Sequence, residues 1–419
     1  VRKIFILVAL AFLLRLVIIP ITIHPDINGY NFGAYLISQK GQALSFYDHL
    51  SSLGQEHPLV KIYGVDLFIY PPLLYLLMGA FMKILSPFYP WQTYHTLLLG
   101  FDKAFADPNL PRLLFLLKAP FLIFDILGLI LIGKLFEKPK EKFLALSFWL
   151  FNPLIFYSSY MMAQFDILIA VSILAALYFH KIKKPHLAAL SLGLGGLIKM
   201  FPLLLLPFYA FSARGKLKER IILISVGLFV YILGILPYLG SQGFRRFALL
   251  APQTDKMFFA KIPVTGSEFL PIFLVVLVLL LWFSYYWGHK FPPWQWFLAV
   301  LLLFFSVTHY HPNWFIWLSA PLIIFLVQGW STSSLPTGVL FLCFVIIVFT
   351  FDSSLNLGLF RMLSPELINF SFRGLLARFY DPNLFASIIR GLFAATSLFV
   401  SLSLFSPSFT KLRNEEFSR

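Results

Sequence analysis

The sequence predicts an all-α, polytopic membrane protein of about 12 transmembrane helices, and three observations predict it. Of the 419 residues, 59% are hydrophobic and only 12% charged, with a mean hydropathy of +0.83. Apolar stretches of about twenty residues, the length that crosses a bilayer as a helix, recur along the chain. They are long Leu, Phe and Ile runs without the alternation of barrel strands, and in lipid a helix satisfies its own backbone hydrogen bonds.

The net charge of +15 would suggest nucleic acid in a soluble protein. Here the basic residues lie mostly in short loops between apolar runs, so membrane orientation and lipid phosphate explain them better. The one cysteine, Cys343, lies inside the apolar run LFLCFVIIV, so no disulfide can form within the chain. The first run, VRKIFILVALAFLLRLVIIPITI, starts basic, is too long for a signal peptide and has no small-residue cleavage site after it. It reads as a retained signal anchor.

Helix 1 is expected at 4–23, with Arg2 and Lys3 holding its start in the cytoplasm. Arg15 within it is costly in lipid and must face protein or an aqueous cavity. Residues 24–111 mix polar stretches with one apolar run at 67–88. The loops LFEKPKEK (135–142), HKIKKPH (180–186) and ARGKLKER (213–220) are strongly basic, which places all three in the cytoplasm. If 67–88 crossed and 112–134 crossed back, LFEKPKEK would end up outside; the simplest repair is that 67–88 is re-entrant or interfacial, opened by Tyr70-Pro71-Pro72.

The remaining helices then alternate: 112–134, 143–162, 166–180, two short helices within 187–211 turning near Lys199, 221–239, 269–287, 294–308, 314–328, 336–351 and 386–405. The tail KLRNEEFSR is expected in the cytoplasm. The chain thus divides into a transmembrane catalytic module, 1–240, with a large external loop at 24–111, and a C-terminal transmembrane region, 241–419, with external loops at 241–268 and 352–385. The localisation expected is an integral, multi-pass membrane protein, in the cell membrane if the source is prokaryotic, with its site on the non-cytoplasmic face.

In this topology the unusual polar groups gather externally. Asp26, in HPDINGYNF, ends helix 1. Gln164 and Asp166, in MMAQFDIL, sit at the turn between the third and fourth helices. Lys199 sits at the turn of the short hairpin, and His309 and His311, in THYHPNW, lie in a later turn. Polar groups on one face beneath a large loop suit an enzyme working on a membrane-borne carrier, whereas transporters favour the midplane. A carboxylate can deprotonate an attacking hydroxyl. Lys or Arg can hold a phosphate leaving group, and a second carboxylate can bind sugar hydroxyls or share a metal.

Plainer structural roles stand beside each of these. Asp26 and Asp166 could cap helices, Lys199 could snorkel, and His309 and His311 could be ordinary loop residues. Arg245 and Arg246 could meet lipid headgroups. Asp125, inside a helix, could pair with Lys118 or Lys134. The sequence holds no P-loop, HExxH or GxSxG motif, and His309-x-His311 is a small set for a metal.

The order of these pieces resembles the type-C glycosyltransferases, membrane enzymes that use polyprenyl-phosphate sugars. HPD at 24–26 resembles their acid at the start of the first external loop. YPPLL at 70–74 is similar to the Pro-Pro motif of protein O-mannosyltransferases and the Thr-Pro motif of the GPI mannosyltransferase. FNPLIFYSSYMMAQFDILIA at 151–170 and LAALSLGLGGLIKMFPLLLLP at 187–207 resemble the Asn-Pro…acid and Lys-x-x-Pro segments of the GPI mannosyltransferase and bacterial relatives. HYHPNWFIWLSAPL at 309–322 looks like their later His-Pro…Trp…Pro segment.

The resemblance implies a seven-helix module and inverting transfer of a sugar, expected to be a mannose-like hexose, from a polyprenyl-phosphate carrier to a lipid- or protein-linked acceptor. Asp26 would be the general base. His24, Tyr70, Gln164, Asp166, Lys199, Arg245, Arg246, His309 and His311 would bind substrate. The family's paired aspartates are absent here, since Asp26 and Asp166 stand singly. The reading therefore leans against a divalent metal, and the donor itself is the only cofactor-like molecule expected. A lipid flippase or solute transporter, and a polysaccharide ligase using a pyrophosphate-linked donor, remain alternatives; nucleic acid is not an expected partner.

Single cysteines placed at Glu56 and at Asn109 should both react with an impermeant reagent applied from the same side. Labelling of one from each side would mean that 67–88 crosses the membrane.

Overall fold

The computed structural model describes residues 2–213 and 215–406; the expected cytoplasmic tail KLRNEEFSR and Arg214 of the third basic loop lie outside the described residues. The fold is helical. α1 (Arg2–Ile21) leads into a loop region built from α2 (Ile27–Lys40), α3 (Phe46–His49), α4 (Pro58–Tyr63), α5 (Pro72–Leu85) and α6 (Trp91–Leu99). Then follow α7 (Leu110–Leu135), α8 (Pro139–Leu150), α9 (Pro153–Ile155), α10 (Ile167–Lys181), α11 (Pro185–Gly196), α12 (Pro202–Ser212) and α13 (Leu217–Ile235). The second half contains α14 (Ile272–Trp287), α15 (Pro293–Val307), α16 (Ser319–Gln328), α17 (Trp330–Thr350), α18 (Phe372–Leu376) and α19 (Pro382–Leu404).

Among the described residues, seven segments are long and apolar enough to cross a membrane: Lys3–Ile21, Leu110–Leu135, Pro139–Met161, Leu217–Tyr238, Ile272–Lys290, Trp330–Thr350 and Pro382–Leu404. The protein is an integral, multi-pass membrane protein. The expected count is about twelve; seven described segments have the length and hydropathy of a span, and Ile167–Lys181, Pro202–Ser212, Pro293–Val307 and Pro312–Gln328 are shorter apolar helices.

The region 67–88 does not form a full-length span. Its helix, α5, has 14 residues, about 21 Å at 1.5 Å per residue, short of a hydrocarbon core of about 30 Å. Pro71 in extended conformation opens it, and it packs along α2, where Gly79 lets the Ile37 side chain approach its backbone. The long segment 240–268, read from sequence only as an external loop, holds a π-helical turn at Phe244–Leu249 and a two-stranded antiparallel hairpin, β1 (Lys261–Thr265) and β2 (Glu268–Pro271). This hairpin departs from the all-α expectation. Its strands are short and exposed, so no buried alternating pattern marks them.

Hydrogen bonds sort the connecting segments into two ends. At one end Tyr30 Oη donates to the Ala163 carbonyl (2.6 Å), the Leu73 N–H to Leu197 (3.1 Å), the Gly243 N–H to Asp48 (2.8 Å) and the Ile23 N–H to Leu359 (2.9 Å). At the other, Lys181 Nζ donates to the carbonyls of Lys134 (3.1 Å) and Leu135 (3.0 Å) and lies 3.1 Å from Glu137. Arg220 there reaches the Tyr285 carbonyl at 3.1 Å. The basic loops thus share one end and the large polar segments the other, as the charge pattern requires.

Inside the helices one ion pair stands out. Arg15 Nε meets Asp125 Oδ2 at 2.5 Å, both fully enclosed. Asp125 also accepts from Trp149 Nε1 (2.8 Å) and Tyr160 Oη (2.7 Å), while Arg15 Nη1 donates to the carbonyls of Ala11 (2.9 Å) and Leu150 (2.8 Å). Arg15 therefore faces protein. Asp125 pairs with it and not with Lys118 or Lys134, because Lys118 turns to the end of α1, donating to Ile19 O (2.9 Å), Thr22 O (2.6 Å) and Tyr160 O (2.8 Å). Those are carbonyls that a helix leaves unsatisfied at its C-terminus. Gly128 makes the arrangement possible: a Cβ there would run into the Trp149 ring that carries Nε1 to Asp125.

Removing one charge from such a pair strands the other, so Arg15→Leu or Asp125→Leu should each cost about 3–5 kcal/mol. The double replacement should cost less than the sum, read from thermal denaturation in detergent; strictly additive losses would show that the two side chains do not act as a unit.

Candidate functional site

The polar end of the bundle encloses a cavity of about 760 Å³ under the first loop, lined by Asp26, Tyr63, Tyr70, Gln164, Lys256, His311, Asn313 and Trp314 among others. Asp26 stands just before α2 but makes no side-chain cap bond there. Its carboxylate is half exposed. One oxygen, Oδ2, accepts from Gln164 Nε2 at 3.1 Å, and Oδ1 accepts from no described residue.

His24 is buried at its side, its Nδ1 accepting from the Asp26 N–H (3.3 Å) and lying 3.5 Å from Oδ2. Burial pushes the His24 imidazole down to about 4, against the opposing pull of the Asp26 carboxylate. It is therefore neutral at physiological pH, and the short contact is not an ion pair.

The turn that carries Gln164 is unusual backbone. Residues Phe156–Met161 form a π-helical turn, and Ala163 takes a φ of 54°. A non-glycine residue there costs of order 1–3 kcal/mol and persists only when its surroundings hold it. Tyr30 Oη does so through the Ala163 carbonyl.

Asp166, two residues on, is fully buried and likewise makes no cap bond to α10. Its Oδ1 accepts from Lys199 Nζ (2.8 Å) and Trp317 Nε1 (2.8 Å), and its Oδ2 from Asn313 Nδ2 (2.6 Å). Lys199 is ringed by Trp314, Trp317, Phe165 and Tyr70, with its Nζ 4.6, 5.1, 5.2 and 5.4 Å from their centroids, a cation–π enclosure.

The Asp166–Asn313 bond turns Asn313 Oδ1 toward His311 Nδ1, 2.9 Å away. An amide oxygen only accepts, so His311 Nδ1 carries the proton and Nε2 keeps its lone pair. Burial is the main cause pushing the His311 imidazole down, with Asp26 pulling it back up. A chain of contacts thus runs from Lys199 through Asp166 and Asn313 to His311 at the cavity wall.

The structure brings together Asp26, His24, Tyr70, Gln164, Asp166, Lys199 and His311. It does not bring Arg245 or Arg246 there. Both are exposed, Arg245 donating to the nearby Leu239 (2.6 Å) and Gly240 (3.0 Å) carbonyls and Arg246 lying over Phe247. They sit on the π-helical turn whose buried face, Phe244 and Ala248, points inward. His309 packs against Phe259 and does not line this cavity. Lys199 is expected from the sequence to reach a lipid phosphate, but its ammonium is committed to Asp166 beneath the aromatic rings.

Sequence reasoning missed Asn313, Trp314, Trp317 and Lys256. The first three follow His311 in HPNWFIW, so the motif was visible without its roles. Among the described residues no group of three or more His, Cys, Asp or Glu side chains gathers as a metal ion would need.

Among the described residues, seven apolar segments long enough to cross a membrane and a polar cavity at the end opposite the basic loops define a polytopic membrane protein. The family model of the GPI transamidase subunit PIG-U matches residues 52–318, and the chain belongs to that family. The match contains Asp166, Lys199, His311, Asn313 and Trp317 and begins after Asp26. The sequence resemblance named glycosyltransferases; the family carries the name of a transamidase subunit and does not itself establish sugar transfer. No curated protein matches the chain.

Lys199→Gln and Asp166→Asn should combine non-additively in thermal stability, with a coupling of about 1 kcal/mol or more. Independent, additive effects would mean that the pair does not organise the cavity wall.

Proposed function

We propose that the chain transfers a sugar from a polyprenyl-phosphate carrier to an acceptor hydroxyl in this cavity, at the non-cytoplasmic face, with Asp26 as general base. The observation that carries this reading is the Asp26 carboxylate: it is half exposed to the cavity, held through one oxygen by Gln164, and without a donor to the other among the described residues. In the reaction, Asp26 Oδ1 takes the acceptor's proton as the acceptor oxygen attacks the anomeric carbon. The carbon–oxygen bond to phosphate breaks on the opposite face, and the phosphate leaves with the electron pair, inverting the centre. Asn313 and Gln164 offer hydrogen bonds to sugar hydroxyls, and Trp314 and Tyr70 offer rings against which a sugar can pack. Asp166 and Lys199 act by positioning Asn313 and His311 and take no part in the proton transfer.

The family relation favours a second reading, in which the chain is a non-catalytic subunit that presents a lipid-linked glycan within a transamidase complex. Its one cysteine, Cys343, is buried and lines neither the polar cavity nor its apolar neighbour. It offers no thiol nucleophile to the cavity, so transamidation would need a partner subunit.

Membranes containing the protein, supplied with synthetic polyprenyl-phosphate-linked mannose, glucose and arabinose, should transfer one of these sugars. Asp26→Asn should lower that transfer about 100-fold or more with folding unchanged, the size of a lost general base, since Asn substitutes well for Asp in a merely structural turn. Near-full transfer by the folded variant would remove the proposed mechanism, and absence of transfer from every donor would favour the subunit reading.

A further inference from the structure

The polar cavity does not stand alone. An apolar chamber of about 280 Å³ adjoins it, lined by Leu203, Leu204, Ala248, Met257 and Phe304 among others. Ile69, Tyr70 and Trp314 line both chambers, so the two meet along an aromatic seam. A ligand that fills both must be amphiphilic, with a polar head toward Asp26 and an apolar chain toward Phe304.

One segment serves both sides of the seam. Thr254 and Met257 face the apolar chamber, while Lys256 between them faces the polar one. The Lys256 carbonyl accepts from the His309 N–H (3.4 Å), and its Nζ lies 5.7 Å from the Trp314 ring centroid. Among the described residues no carboxylate pairs with it. His309 and His311 are both pushed down chiefly by burial, with Lys256 among the charges that lower them further. Of the other cations nearby, Lys199 is bound to Asp166, Arg245 and Arg246 face outward, and Arg361, over Phe101 and Phe105, and Arg390, over Tyr310, line neither chamber.

We propose that Lys256 receives the anionic phosphate group of an amphiphilic ligand at the seam between the two chambers, the apolar chain lying beside Met257 and the polar head beside Asp26. An ammonium that is half-buried, unpaired and beside an aromatic face binds an anion with little competition from water. This assignment rests on the reading of the cavity as the site of a lipid-linked donor, and it names the residue that would hold the departing phosphate.

The test is equilibrium binding of farnesyl phosphate, farnesol and inorganic phosphate to the full chain in nanodiscs, with no sugar present. The wild-type protein should bind farnesyl phosphate at least about tenfold more tightly than either of the others, the ratio expected for one charge-assisted contact. Lys256→Gln should bring farnesyl phosphate down to the affinity of farnesol and leave farnesol unchanged. Lys256→Arg should keep most of the preference, and Met257→Trp, filling the apolar chamber, should weaken both farnesyl ligands.

Equal binding of farnesyl phosphate and farnesol would overturn the proposal, as would unchanged farnesyl phosphate binding by Lys256→Gln. Inorganic phosphate binding as tightly as farnesyl phosphate would overturn the amphiphile and leave an anion site only. Lys256-dependent binding without any sugar transfer would count against glycosyl transfer and not against this assignment. Intact transfer with Lys256-independent binding would do the reverse.

Discussion

The polar end of this protein depends on the buried Asp166–Lys199 pair. Burying two charges costs more than their attraction returns unless every remaining valence is filled. Here Trp317 and Asn313 take other lone pairs of the carboxylate, and the ammonium, bonded to Asp166, is surrounded by four aromatic rings. Each partner arrives on a different element. Asp166 comes from the start of α10, Lys199 from the turn between α11 and α12, and Asn313 and Trp317 from the 3-10 segment Pro312–Leu318. The pair therefore joins three connections that would otherwise be separate loops, and it sets the wall of the polar cavity and the tautomer of His311.

The Arg15–Asp125 pair does the corresponding work among the helices. It joins α1 to α7, and through Trp149 and Tyr160 to the segment that leads into the left-handed turn at Ala163. Lys118 closes the end of α1 and donates to the carbonyl of the same Tyr160. The position of Gln164, and so of the Asp26 carboxylate, is inherited from this buried polar framework. Two ion pairs that look like liabilities in a membrane thus hold an exposed carboxylate in a defined place.

The combination has a chemical meaning whichever functional reading holds. A polar chamber with a carboxylate and neutral imidazoles, an apolar chamber beside it and an unpaired ammonium at their seam match a molecule with a polar head, one anion and an apolar chain. The two proposed functions differ at Asp26, whose Oδ1 accepts from no described residue.

The sequence by itself determined the membrane class, the shortness of the 67–88 helix and the gathering of Asp26, Gln164, Asp166, Lys199 and His311 at one end. These follow from hydropathy and from the charge of short loops, which are local properties of the chain. It could not decide between capping and pairing for Asp26 and Asp166, because both positions look like helix starts. Nor could it tell that Lys199 is spent on Asp166, that Asp125 belongs to Arg15, or that Lys256 and not Arg245 or Arg246 faces the cavity. Those are questions of partner choice among groups 30 to more than 100 residues apart. Only tertiary packing decides them, because a buried charge takes the counter-charge that the fold brings within hydrogen-bonding distance, and that distance is not written in the spacing of the sequence.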